Sequence, residues 1–151
     1  MLEEAAKSFG PMIKLMYNMI GDLSSAFYKK YGKDALPTIS AVSAKYGAPN
    51  AKLVQAMMPV KNMKDIGEMY KMMFAMIGEK MEIVKVSDDL LHFKVSTCPM
   101  CIQGTSQQLC EALMNTDKKM VATLLDQQIN IKVPKSVAAG DKYCEVIFSK
   151  K

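Results

Sequence analysis

Four cysteines are the residues whose type and spacing point most directly to chemistry. Cys98 and Cys101 lie in the stretch "STCPMCIQG", and Cys110 and Cys144 follow, which gives the pattern Cys-x2-Cys-x8-Cys-x33-Cys. Four thiolates are the ligand set of a tetrahedral zinc site, and they can also hold a 4Fe-4S cluster. Thiolates suit these metals and suit magnesium or calcium poorly. The sequence therefore predicts a metal site at Cys98, Cys101, Cys110 and Cys144, with zinc and iron–sulfur both open.

Two other interpretations of the cysteines remain open. A Cys-x-x-Cys pair at the start of a helix can supply a thiolate for redox chemistry, and Cys98 or Cys101 would be that thiol. The βαβ pattern that surrounds such a pair in thioredoxins is missing. The third interpretation is four reduced cysteines that act as small buried hydrophobic residues.

No other motif in the chain predicts catalysis. His92 is the single histidine, and it lies on the opposite strand face from Phe93, which favours an exposed side chain. The sequence contains neither a Gly-x-Ser-x-Gly nucleophile motif nor a glycine-rich phosphate-binding loop.

The second half of the chain, residues 80–151, supplies the elements that position the cysteines. Alternating apolar residues on both sides of Asp88-Asp89 predict a β-hairpin. Helices are predicted over 105–114 and 117–127, followed by strands in "INIKV" and "YCEVIFSK". If the last strand pairs with the first hairpin, Cys144 comes to lie beside the loop that carries Cys98 and Cys101.

The first half, residues 1–79, predicts helices over 11–31, 37–46, 52–58 and 62–78. In the first helix, apolar residues recur at the spacing of a single helix face, which predicts that this face is buried. These residues are Met12, Leu15, Met16, Met19, Ile20, Leu23, Phe27 and Tyr31. The predicted fold is therefore one α+β domain over residues 1–151, with N-terminal helices packed on a small antiparallel sheet.

Composition narrows the class of partner. The net charge is +5, all 20 basic residues are lysines, and they are scattered along the chain. Without arginine, bidentate recognition of phosphate or guanine loses its best side chain, so we expect no nucleic-acid partner. No apolar segment approaches the roughly 18–20 residues of a membrane span, and the N-terminal residues do not have the pattern of a signal peptide. We therefore expect a cytoplasmic protein.

Several short motifs resemble one superfamily, that of 4-vinyl-reductase-type domains and L-2-amino-thiazoline-4-carboxylate hydrolase-like proteins. The matching pieces are a hairpin that ends in Cys98-Pro99, Cys110 on the next helix, Asp117 soon after, and the terminal "GDKYC" before the last strand. The resemblance covers roughly residues 60–149. It implies the fold of TRAPP vesicle-tethering components and of heme-nitric-oxide sensor domains.

The resemblance also implies a small-ligand site, dimerisation through helices and, in some members, zinc held by cysteines and an acid. Cys110 and Cys144 match the ligand positions of that zinc site. A Glu and a Cys are expected near Val133 and Ser136, where this chain has neither. Cys98 and Cys101 would replace them in an all-thiolate site.

Three functions follow as hypotheses. The leading one is a sensor-like domain that binds a small apolar ligand in a methionine-lined pocket, carries the four-cysteine site and forms a homodimer through its helices. The second is a hydrolase that opens a thiazoline-type C–N or C–S bond with a metal-bound water or a thiolate as nucleophile. The third is an assembly module that uses its helices as an interface.

Overall fold

A computed structural model of the chain describes residues 2–151, which form six α-helices and four β-strands. The helices are α1 (Leu2–Tyr31), α2 (Leu36–Lys45), α3 (Gly47–Met57), α4 (Met63–Met76), α5 (Gln107–Leu113) and α6 (Asn115–Leu125). The strands are β1 (Met81–Val86), β2 (Leu90–Val95), β3 (Ile129–Lys135) and β4 (Cys144–Lys150). None of the helices within the described residues is long and apolar enough to cross a membrane.

The four strands form one antiparallel sheet in the order β1-β2-β4-β3. Alternation places Phe93 and Val95 of β2, and Val146 and Phe148 of β4, on a face that is buried. The helices α4 and α6 cover this face, with Ile66, Met69, Val121 and Leu124 in the same apolar cluster. The predicted α+β fold, with N-terminal helices packed on a small antiparallel sheet, is confirmed.

Two helix starts differ from the prediction. Helix α1 begins at Leu2, so Pro11 lies inside it and not in its first turn. Helix α3 begins at Gly47, although "YGAPN" predicted an interruption that lasts until residue 52. Pro49 is compatible with this earlier start because the first turn of a helix does not use its N–H groups for intrahelical bonds.

The face of α1 that packs on the domain is not the one predicted. All eight apolar residues of the predicted buried stripe are exposed, and Phe9 joins them. The buried side of the helix carries Gly10, Tyr17 and Gly21 instead, and a Cβ at either glycine would collide with the main-chain oxygen of Met76 or Met100. Glycine is favoured at these contacts because it lets the helix backbone approach the neighbouring main chain closely. We name the exposed set the apolar stripe of α1: Phe9, Met12, Leu15, Met16, Met19, Ile20, Leu23, Phe27 and Tyr31.

Candidate functional site

A cavity of about 150 Å³ lies between the inner face of the sheet, helices α1 and α4, and the loop that follows β2. Most of its wall is apolar. Representative wall residues are Tyr17 of α1, Phe74 of α4, Phe93 and Val95 of β2, Met100 of the loop and Val146 of β4.

Three of the four cysteines border this cavity. Strand pairing sets Cys144 of β4 opposite Val95 of β2, and Cys98 follows Val95 by three residues. Cys110 of α5 completes the group, and all three side chains line the cavity. The predicted pairing of the last strand with the first hairpin therefore brings Cys98, Cys110 and Cys144 to one space.

Cys101 is placed differently. Its side chain is exposed, and its thiol donates a hydrogen bond to Oδ1 of Asn18 on α1 at 3.1 Å. Its backbone N–H donates to the carbonyl of Cys98 at 3.0 Å, and its φ of 53° lies in the left-handed region. Among the side chains that the structure describes, no three His, Cys, Asp or Glu residues are arranged to hold a metal ion. The structure thus gives no support to a zinc or 4Fe-4S site formed by all four cysteines, and that site stays a prediction.

Burial keeps two of the cavity thiols protonated at neutral pH. Burial, the largest cause, raises the pKa of Cys110 to about 12, and it also raises the pKa of Cys144. The nearby Ser136 hydroxyl lowers the pKa of Cys110, which opposes the effect of burial. The Ser136 oxygen is itself buried and is not within hydrogen-bond geometry of any described group. Neutral thiols behave as small apolar groups, so Cys110 and Cys144 contribute apolar surface to the cavity wall.

Exposure predicts a sharp difference in thiol reactivity. When the native protein is treated with iodoacetamide at pH 8, we expect Cys101 to be alkylated at least tenfold faster than Cys98, Cys110 or Cys144, because those three are wholly or largely buried. Peptide mass spectrometry after quenching measures the order. The Cys101→Ser variant is the control, and it should show almost no alkylation until it is denatured. Protection of Cys101 in the native protein would contradict the described geometry.

Asp117 puts a carboxyl group into the largely apolar wall. It lies in the first turn of α6, and the Tyr70 hydroxyl donates a hydrogen bond to its Oδ1 at 2.8 Å. Burial raises the pKa of Asp117, and the bond from Tyr70 opposes that shift. Burial first, and then the Asp117 carboxylate, raise the pKa of Tyr17 and of Tyr70, so both hydroxyl groups stay protonated at neutral pH.

The sequence did not identify Asp117, Tyr70 and Tyr17 as site residues, although it contains one signal for Asp117. Asp117 shares a helix face with Met120, Val121 and Leu124, all of which are buried. An acid on the apolar face of a helix needs a polar partner. That partner, Tyr70, is 47 residues away in the sequence, so spacing alone does not indicate it.

His92 lies outside the cavity. It is on the outer face of the sheet, where its Nε2 lies 2.6 Å from Oε1 of Glu145 on the neighbouring strand. Its side chain is partly buried, whereas the sequence favoured an exposed one. His92 therefore faces away from the space that the cysteines share.

Solved structures of other proteins share this fold, and two of them bear on the site. The first is the phenol-responsive sensory domain of the transcription activator PoxR with phenol, at a TM-score of 0.67 and 15% identity, covering 89% of this chain and 74% of that chain. The second is a trafficking protein particle complex subunit 3 from Naegleria fowleri covalently bound to palmitic acid, at a TM-score of 0.71 and 14% identity, covering 92% and 95%. The chain thus has a TRAPP-like, 4-vinyl-reductase-like fold, as the resemblance of its motifs implied.

In sequence, no family model matches the chain, and no curated protein matches it. At 14–15% identity, the two structural neighbours establish the fold only.

Proposed function

We propose that this chain is a sensor-like domain that binds one small, largely apolar organic molecule in the cavity between α1, α4 and the sheet. The observation that carries the proposal is the cavity itself, which has about 150 Å³ of space in an apolar wall. An engineered apolar cavity of about 150 Å³ in another protein binds benzene, so this space is suited to a single aromatic ring. Well-packed interiors contain few voids of that size without a ligand to fill them.

The comparisons support a ligand of this size. The sensory domain with the same fold binds phenol, which is one ring with one hydroxyl group. The trafficking subunit carries palmitic acid, whose long acyl chain exceeds the cavity described for this protein. A ring-sized molecule therefore fits the present cavity better than a fatty acid does.

The test is direct binding of ring-sized probes. We expect toluene and phenol each to bind saturably, with one molecule per chain, when binding is followed by ligand-observed NMR and by the rise in melting temperature. A ligand that binds only the folded state raises its stability with concentration, which gives a second, independent measure of affinity. If no ring-sized probe binds up to its solubility limit, the proposal fails.

We also propose that the chain forms a homodimer through the apolar stripe of α1. The stripe runs on the order of 30 Å along the helix. Its nine large side chains are about half exposed on average, which gives an apolar area comparable with the roughly 800 Å² that each partner buries in a standard interface. Monomers rarely expose so large a contiguous apolar patch. The same observation favours the assembly-module hypothesis, in which a helix face is the functional interface.

From the sequence motifs, we also propose that the chain belongs to the superfamily of 4-vinyl-reductase-type and L-2-amino-thiazoline-4-carboxylate hydrolase-like proteins. From the composition, we propose a cytoplasmic location. A zinc or 4Fe-4S site at Cys98, Cys101, Cys110 and Cys144 also stays a prediction, and metal analysis of anaerobically purified protein checks it. For the hydrolase hypothesis, the raised pKa of Cys110 and Cys144 argues against either one as the thiolate nucleophile.

A further inference from the structure

Among the residues that the structure describes, Asp117 has no cation beside it. Its one side-chain partner is the hydroxyl of Tyr70, and within the described residues no lysine or histidine forms an ion pair with it. None of the 20 lysines is among the residues that line the cavity. In its ionised form Asp117 faces a largely apolar space with only dipoles to stabilise the charge, and burial accordingly raises its pKa.

Those dipoles compensate the charge in part. The first turn of α6 presents the positive end of a helix dipole, and Tyr70 donates one hydrogen bond. A carboxylate oxygen accepts more than one bond, so Asp117 keeps capacity for a further donor. Buried charges are normally paired with an opposite charge, because removing them from water is costly otherwise. A positively charged ligand would supply the missing partner.

The aromatic side chains around the cavity favour the same class of ligand. Tyr17, Phe74 and Phe93 line the space into which Asp117 faces, and aromatic rings attract organic cations through their π-electrons. The net charge of +5 would repel a cationic ligand, but the lysines lie outside the cavity wall. Salt screens their charge over about 8–10 Å, which weakens that repulsion.

From this arrangement we infer that the ligand is a small apolar molecule that carries one protonated amine. Its ammonium group pairs with Asp117, and its apolar body contacts the aromatic and thiol-lined wall. The inference rests on the proposed function and narrows it, because it separates the ligand of this chain from a neutral molecule such as phenol.

Three probes with one carbon skeleton test the inference: benzylamine, benzyl alcohol and toluene. At pH 7 the alkyl amine is protonated, so the probes present a cation, a neutral donor and no donor. We expect benzylamine to bind the wild-type protein at least tenfold more tightly than benzyl alcohol, with toluene the weakest. Equal or tighter binding of benzyl alcohol or toluene overturns the inference but leaves the proposed function standing. If none of the three binds, the proposed function itself has failed, and the inference fails with it.

The variant Asp117→Asn separates the charge from the shape of the side chain. We expect it to lose the preference for benzylamine and to keep its affinity for toluene. Asp126→Asn is the matched control, because Asp126 ends the same helix in a left-handed, exposed position outside the cavity. This control should behave like the wild type. A preference for benzylamine that persists in Asp117→Asn contradicts the inference. If that variant does not fold, the order of the three probe affinities for the wild-type protein still tests the inference.

Discussion

The Val95→Phe substitution is expected to reduce toluene binding at least a hundredfold while the protein remains folded. Val95 is buried in the cavity wall, beside Cys144 in the sheet. The added ring occupies a large part of a space of about 150 Å³, so little room remains for a ligand. Overpacking a filled core costs about 1–3 kcal/mol, but an existing cavity accepts much of the new volume, so we expect the lower end of that range.

The matched control is Val86→Phe. Val86 lies on the edge strand β1, is partly exposed and does not line the cavity. Binding is measured by isothermal titration or ligand-observed NMR, and folding by circular dichroism and melting temperature. If the folded Val95→Phe protein binds toluene as the wild type does, the cavity is not the binding site. Equal loss of binding in both variants would point to a general effect on the sheet.

The sheet and its sidedness could be predicted from sequence because they follow local rules. Alternation fixes which side chains of β2 and β4 face the helices, as seen for Phe93 and Phe148, and a turn fixes the first hairpin. Pairing of β2 with β4 then follows from their matching apolar faces. That pairing places Cys144 beside the loop that carries Cys98, as the sequence predicted.

The polar part of the site could not be predicted in the same way. The contact between Tyr70 and Asp117 depends on how α4 and α6 cross the sheet, and the sequence contains no spacing rule for such a crossing. The position of Cys101 depends on a single turn in which its backbone adopts a positive φ. A Cys-x-x-Cys pattern indicates that two thiols are near each other, but the turn decides whether both enter the same space.

The burial of α1 was predicted on the wrong face because hydrophobicity does not identify the partner. An apolar stripe indicates that a helix face will be covered, either by the same chain or by another one. Within the chain, contact is made by the glycine-bearing face, since close backbone approach gives tight packing without large side chains. The stripe is then left available to a second copy.

The double variant Met16→Lys and Leu23→Lys is therefore expected to convert the proposed homodimer into a monomer. Met16 and Leu23 are 54% and 65% exposed and lie two turns apart on the apolar stripe. In a symmetric dimer each substitution occurs twice, so four lysines would have to be buried without partners, and we expect the dimer dissociation constant to rise at least a hundredfold. Light scattering coupled to size-exclusion chromatography measures the mass of each variant.

The pair Leu53→Lys and Met57→Lys separates a specific interface from a general effect of charge. Leu53 and Met57 are 65% and 67% exposed on α3, so the residue types, the exposure and the added charge all match. This control should remain dimeric, because neither residue belongs to the apolar stripe. A wild-type protein that is monomeric at high concentration rejects the dimer outright. Dissociation of both double variants would show that the added charge, and not the stripe, governs association. Loss of the dimer in the α1 variant alone is the result that assigns the interface to the face opposite Tyr17 and Gly21, so that one helix both closes the cavity and joins the two copies.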